Sequence, residues 1–172
     1  MNNKMAEAMN RQVTREFYSG YLYLQMAAWF EEHNFKGFAH WMRIQAQEEA
    51  AHALILFNHL AARGAKISLG AIDAPPGAYK SAADIFEATL KHERSVTAAI
   101  NELVDLALEV KDHAARVILD TFVSEQVEEE ANAQEILEKA KAFGDNHPAL
   151  LALDASLSSR AFSLPAQLAA QE

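Results

Sequence analysis

Cysteine is absent from all 172 residues, which excludes disulfides, thiolate zinc sites and cysteine-ligated clusters. Glycine and proline are scarce, at 6 and 4, so few positions interrupt a helix. Ala, Leu, Glu, Gln and Lys dominate instead, which favours a mostly helical chain. No run of about 18 uncharged apolar residues is present to cross a membrane, and Met1 to Asn10 lacks the apolar centre of a secretory signal. The expectation is a cytoplasmic protein with no membrane partner. Positive charge is also short: 15 Lys and Arg face 24 Asp and Glu, a net charge of −9. That balance disfavours nucleic acid as a partner and would concentrate cations at any acidic opening.

What the chain has is apolar residues, 51% of the total, enough for one proper core. From about Lys4 to Glu32, the residues Met9, Val13, Glu16, Gly20, Tyr23, Ala27 and Phe30 follow a seven-residue period and predict one long helix. His33 and Asn34 break it. A second helix runs from about Lys36 to Arg63 on a seam of Phe38, Met42, Gln45, Glu49, His52 and Leu56, with Gly64 as its C-terminal cap. So short a connection makes the pair antiparallel neighbours.

Gly64 to Lys80 shows no helical period and contains Gly70, Pro75, Pro76 and Gly77. Extended at roughly 3.3 Å per residue it spans about 55 Å, more than the roughly 40 Å of a 27-residue helix. It can therefore cross the full height of a bundle. Ser81 and Asp84 signal the start of a third helix, with Phe86, Leu90, Glu93, Thr97, Ile100, Val104 and Ala107 on its seam. After a turn near Lys111 and Asp112, a fourth helix presents Ala115, Ile118, Phe122, Glu129, Ala133, Ile136 and Ala140, with Glu125 and Gln126 filling the missing turn. Gly144 ends it, and Pro148 opens a short fifth helix to about Ser158. The reading is all-α: a four-helix bundle with a long crossover between helices 2 and 3, one domain over residues 1–160 and a C-terminal tail over 161–172.

Each of the four long seams carries an acidic residue near its middle: Glu16, Glu49, Glu93 and Glu129. Antiparallel packing brings all four to one height, joined by His52, one turn from Glu49. Taken singly, an inward Glu usually snorkels or pairs with Lys, and a lone core His is usually just hydrogen-bonded. Together, with no inward Lys or Arg on the seams, they cannot share a dry core as anions. Hard oxygen ligands with one imidazole suit two closely spaced divalent iron or manganese ions. Tyr23, two turns after Glu16, is placed to reach a ligand carboxylate or donate an electron. Trp29, Trp41 and Met42 read as packing. His33, His40, His59, His92, His113 and His147 show no partner pattern and read as surface or interface.

Arg15-Glu16-Phe17-Tyr18-Ser19 with Tyr23, Ala46-Gln47-Glu48-Glu49-Ala50-Ala51-His52, Glu93, and Ser124-Glu125-Gln126-Val127-Glu128-Glu129-Glu130 together resemble the non-haem bacterial ferritins, over nearly the whole chain. The resemblance implies a ferritin-like fold and iron storage with ferroxidase activity. It implies a di-iron centre without haem in which Glu16, Glu49 and His52 hold one iron, Glu49 bridges, and Glu93 and Glu129 hold the second with Gln126 nearby. A third iron site would map onto Glu48, Glu125, Glu128 and Glu129. The oxidant would be dioxygen or peroxide, and the assembly a homo-oligomeric shell of 24 subunits with the fifth helix on its fourfold axes.

Departures from related patterns matter too. Rubrerythrin-like and bacterioferritin-like proteins carry a second Glu-x-x-His, where this chain has Gln126 and Glu129, so its two metals should be held unequally. Animal ferritins are also similar, but where their threefold channels are acidic this chain has Arg116 and Leu119. Glu109, Asp112 and Asp120 are then the acidic candidates for the iron route. The alternative function is a di-iron peroxidase or oxygenase of the rubrerythrin-like type without storage. A metal-free helical scaffold is a third reading.

Overall fold

The computed structural model describes residues 1–144 and 146–163. Five helices account for its regular structure: α1 (Asn3–Glu32), α2 (Lys36–Ala62), α3 (Ala82–Glu109), α4 (His113–Phe143) and α5 (His147–Leu157). No strand occurs among the described residues. Local chemistry sets the ends. Asn2, Ser81, Asp112 and Asn146 each accept a backbone N–H in the first turn of the helix that follows, supplying acceptors for donors that a helix start leaves unpaired. Asp84 answers Ser81 one residue early, accepting from the N–H of Lys80 at 2.9 Å. Asn34, Gly64, Lys111 and Gly144 take positive φ at the exits of α1 to α4, and Gly supplies that conformation with least strain.

Two apolar clusters fix the direction of every helix. One gathers Leu22 to Phe30 of α1, Phe38 to Ala46 of α2, Ala82 to Leu90 of α3 and Ala133 to Ala140 of α4. The other holds Met5 to Val13, Ala53 to Leu60, Val96 to Ala107 and Ala115 to Phe122 of the same helices. Hence α1 and α4 run one way, and α2 and α3 the other. Phe30, Phe38 and Phe86 lock three helices at the first end, with ring centroids 5.1, 5.7 and 5.3 Å apart. Burying each such ring contributes about 2 to 3 kcal/mol.

Because α2 and α3 are parallel, the segment between them must travel the length of the bundle. It does so along α1. Asn10 bonds the carbonyl of Lys66 and the N–H of Ser68, Thr14 accepts from Gly70, and Trp29 donates to the carbonyl of Tyr79. The side chains of α1 thus satisfy the backbone of a connection that has no ladder of its own.

The α2 seam is buried at every expected position, and so is that of α1. The α3 and α4 stripes differ by one residue in places. Leu103 and Leu119 are buried where Val104 and Ile118 were expected, and those two are half-buried beside them. A helix packed against two neighbours buries a stripe wider than one residue per turn. Leu119 is accordingly core rather than channel lining. Residues 164–172 of the expected tail, and Asp145, lie outside the described residues.

Candidate metal centre

Between the two apolar clusters lies a polar layer built by α1 to α4. Gly20 brings α1 and α2 together there: a Cβ on it would stand 3.2 Å from the carbonyl oxygen of Ala46 and 3.7 Å from the Cβ of Glu49. Glu16, Glu49 and His52 are all buried, and one ligand atom from each lies within 4.8 Å of the others. They are the one such group of His, Asp and Glu among the described residues. Glu16 Oε1 accepts from Gln12 at 2.8 Å, whereas Glu16 Oε2 and Glu49 Oε2 are buried without a hydrogen-bond partner. Buried carboxylate oxygens are rarely left so, because an unpaired one costs on the order of 1 to 3 kcal/mol or more. The donor set and its two vacant oxygens fit a hard divalent cation.

His52 is oriented for the same purpose. Its Nε2 lies 3.1 Å from Glu125 and its Nδ1 3.6 Å from Glu49. A metal-binding imidazole typically gives its other N–H to a carboxylate, which fixes tautomer and ring angle. Burial works against the imidazolium, but the carboxylates of Glu125 and Glu49 facing the ring carry it well above its ordinary pKa. Glu49 is itself raised well above the carboxylate range by burial, against the pull of His52, with Glu93 and Glu16 adding repulsion. The metal-free layer therefore holds protons that a metal ion would displace.

On the α3 and α4 side, Glu93 is fully buried and accepts from the Tyr23 hydroxyl and, at 3.1 Å, from Gln126 Nε2. Burial lifts it to about 7, with the two bonds opposing and Glu129 and Glu16 reinforcing the rise. Tyr23 is raised well above 10, by burial first and then by Glu93 and Glu49, so it stays a neutral donor. Glu129 is half-buried, and its Oε2 accepts from Gln45 at 2.8 Å. Glu93 and Glu129 face the first group across the layer but do not join its tight cluster.

The four carboxylates expected to form a third site are each differently engaged. Glu128 is exposed. Glu125 is turned to His52 at 3.1 Å, while Glu48 accepts from Arg160 Nη2 at 2.5 Å and Glu129 Oε1 lies 3.9 Å from the same atom. Sequence reasoning found no inward cation because Arg160 follows α5, in a stretch without helical period, and reaches Glu48 across 112 residues. His92 was also missed. It is half-buried, 2.8 Å from the Ser19 hydroxyl and between the rings of Tyr18 and Tyr23, and burial lowers it to about 4. Its position beside Glu93 on an inward turn was the available signal. His40 lies 2.7 Å from the carbonyl of Arg160, and His33 stacks on Trp29 at 3.6 Å. Glu130 accepts from the Thr97 hydroxyl at 2.6 Å.

The acids expected along the iron route are paired within the chain. Asp112 caps α4 and bonds Arg63 at 2.9 Å, Asp120 bonds Arg116 at 2.7 Å, and Glu109 lies 4.0 Å from Lys4. No helix of the described residues is long and apolar enough to cross a membrane.

A family model described as the ferritin-like domain matches residues 6–143. The chain is 41% identical over 145 residues to a bacterial non-heme ferritin of Bacteroides fragilis, covering 84% of this chain and 91% of that one. It is 37% identical over 155 residues to a bacterial non-heme ferritin of Escherichia coli, covering 90% and 94%. Among solved structures, an open pore ferritin from Archaeoglobus fulgidus superposes with a TM-score of 0.92 at 45% identity, covering 94% of this chain and 99% of that one.

Proposed function

Because the chain belongs to the ferritin family, we propose that it stores iron, oxidising Fe(II) at the mid-bundle layer and keeping Fe(III) as mineral inside a homo-oligomeric shell. The observation that carries this reading is the pair of buried, partnerless oxygens of Glu16 and Glu49 beside an imidazole whose Nε2 faces the Glu125 carboxylate at 3.1 Å. Glu16, Glu49 and the Nδ1 of His52 would take the first Fe(II). Glu49 would bridge toward the second, which Glu93 and Glu129 would take with Gln126 alongside. With one nitrogen donor in all, the second ion is held more weakly and can move on, which suits storage better than a fixed redox centre.

The chemistry balances with iron as substrate. Two Fe(II) each lose one electron, and those electrons with two protons convert dioxygen to hydrogen peroxide, or peroxide to water. Oxygen ligands favour the harder ferric product, which then hydrolyses and leaves. Binding of the two Fe(II) would displace the protons that Glu49 and Glu93 hold more readily than ordinary carboxylates in the metal-free layer, and the two protons that the oxidant takes up would come from solvent. Tyr23 keeps Glu93 oriented and stays neutral. Glu125 holds the His52 ring in place.

The shell is expected to contain 24 subunits and to act in the cytoplasm. Size-exclusion mass measured with an aerobic iron-loading trace tests the reading. A large shell that takes up far more iron than two ions per subunit is the expected result. A small oligomer that turns over peroxide and retains no iron would favour the rubrerythrin-like alternative.

A further inference from the structure

Arg160 lies three residues beyond α5 and points back into the carboxylates just outside the candidate metal centre. Its guanidinium carbon stands 4.8 Å over the Trp41 ring, a face that attracts cations. Its Nη2 is 2.5 Å from Glu48 and 3.9 Å from Glu129, and its backbone carbonyl lies 2.7 Å from His40 Nε2. The guanidinium is thus held by the ring and the carboxylates, and the main chain of the same residue by His40. We infer that Arg160 is a tethered cation standing where a third metal ion would bind, and that it restricts this centre to two ions per subunit.

The remaining acids of that position support the same conclusion. Glu125 is engaged by His52, Glu128 is exposed, and the second oxygen of Glu129 is taken by Gln45. A divalent ion bound between Glu48 and Glu129 would meet a fixed positive charge within contact distance and lose a ligand to it. The guanidinium cannot lose its charge to make room, because arginine is not deprotonated in proteins. It would have to leave the Trp41 face altogether. The segment that carries it is itself anchored, because α5 is docked on α2 through Asp154 and Phe38.

This inference rests on the two-metal reading above, so the test reports on both separately. Crystals of the assembled protein and of Arg160→Gln would be soaked in Zn(II), which needs no oxidant, and the ions located by anomalous scattering. Calorimetric Zn(II) titration would count them in solution. The expected result is two ions per subunit in the wild type and a third, between Glu48 and Glu129, in the variant. A third ion in the wild type with Arg160 swung aside, or equal counts in the two proteins, would overturn the inference. The wild-type count decides even if the variant fails to assemble. Zn(II) missing from Glu16, Glu49 and His52 in both proteins would instead overturn the two-metal reading beneath it.

Discussion

Asp154 of α5 accepts a hydrogen bond at 2.7 Å from the backbone N–H of Phe38, 116 residues away. It thereby supplies the start of α2 with the acceptor that Phe35, the residue at its N-cap, does not provide. The approach is close enough to require glycine next door, since a Cβ on Gly37 would stand 1.7 Å from the Asp154 carbonyl oxygen. One contact thus fixes where α5 lies and, three residues past its end, where Arg160 begins.

Gly37→Ala should therefore lift α5 from α2, and Asp154→Ala should remove the cap at a cost of about 1 kcal/mol. Hydrogen exchange of the α5 amides, read with Trp41 fluorescence, checks both. Faster exchange and an altered Trp41 signal are expected, while wild-type exchange in Gly37→Ala would show that this contact does not hold α5.

Protonation of the layer should make metal-free protein less stable as pH rises. Glu93 is raised from 4.5 to about 7, so its stabilisation is complete below 4.5 and is lost as pH climbs through 7. His52, also raised above its ordinary 6.5, acts in the same sense. His92, lowered to about 4, acts oppositely: its contribution is complete above 6.5 and is lost as pH falls toward 4. Comparison with Glu93→Gln isolates the carboxylate. Between pH 5 and 8 the wild type should lose about 3 kcal/mol more than the variant in denaturant titrations. Parallel curves would rule out a protonated Glu93.

Tyr23→Phe should act on one metal more than the other. The hydroxyl bonds Glu93, not Glu16 or His52, and a hydrogen bond to a charged group contributes about 1.5 to 3 kcal/mol. In a two-step Zn(II) titration the weaker step should soften by roughly 10-fold or more while the tighter step keeps its affinity. Equal weakening of both steps would indicate general damage to the layer.

The long helices were legible because their chemistry is local: the seven-residue seams, Ser81 before Asp84, and Gly64 and Gly144 at helix exits all lie in short windows. Glu16, Glu49, His52 and Glu93 were legible too, since each breaks an apolar seam at a height that antiparallel packing makes common, and all four are buried. Arg160, His92 and Asp154 were not. Each acts through a contact set by tertiary packing: Arg160 reaches Glu48 over 112 residues, His92 meets Ser19 over 73, and Asp154 meets Phe38 over 116. The guanidinium beside the expected third site was hidden for the same reason. Spacing along α2 and α4 aligned that site's carboxylates, but nothing in those helices disclosed a guanidinium arriving from beyond α5.

The central claim is that Glu16, Glu49 and His52 take up and oxidise Fe(II). Stopped-flow oxidation under aerobic conditions, comparing wild type with the Glu49→Ala, His52→Ala double variant, tests it most directly, with circular dichroism confirming that the helices persist. Loss of the fast phase in a helical, assembled variant is the expected result. Unchanged oxidation kinetics in that variant would contradict the account.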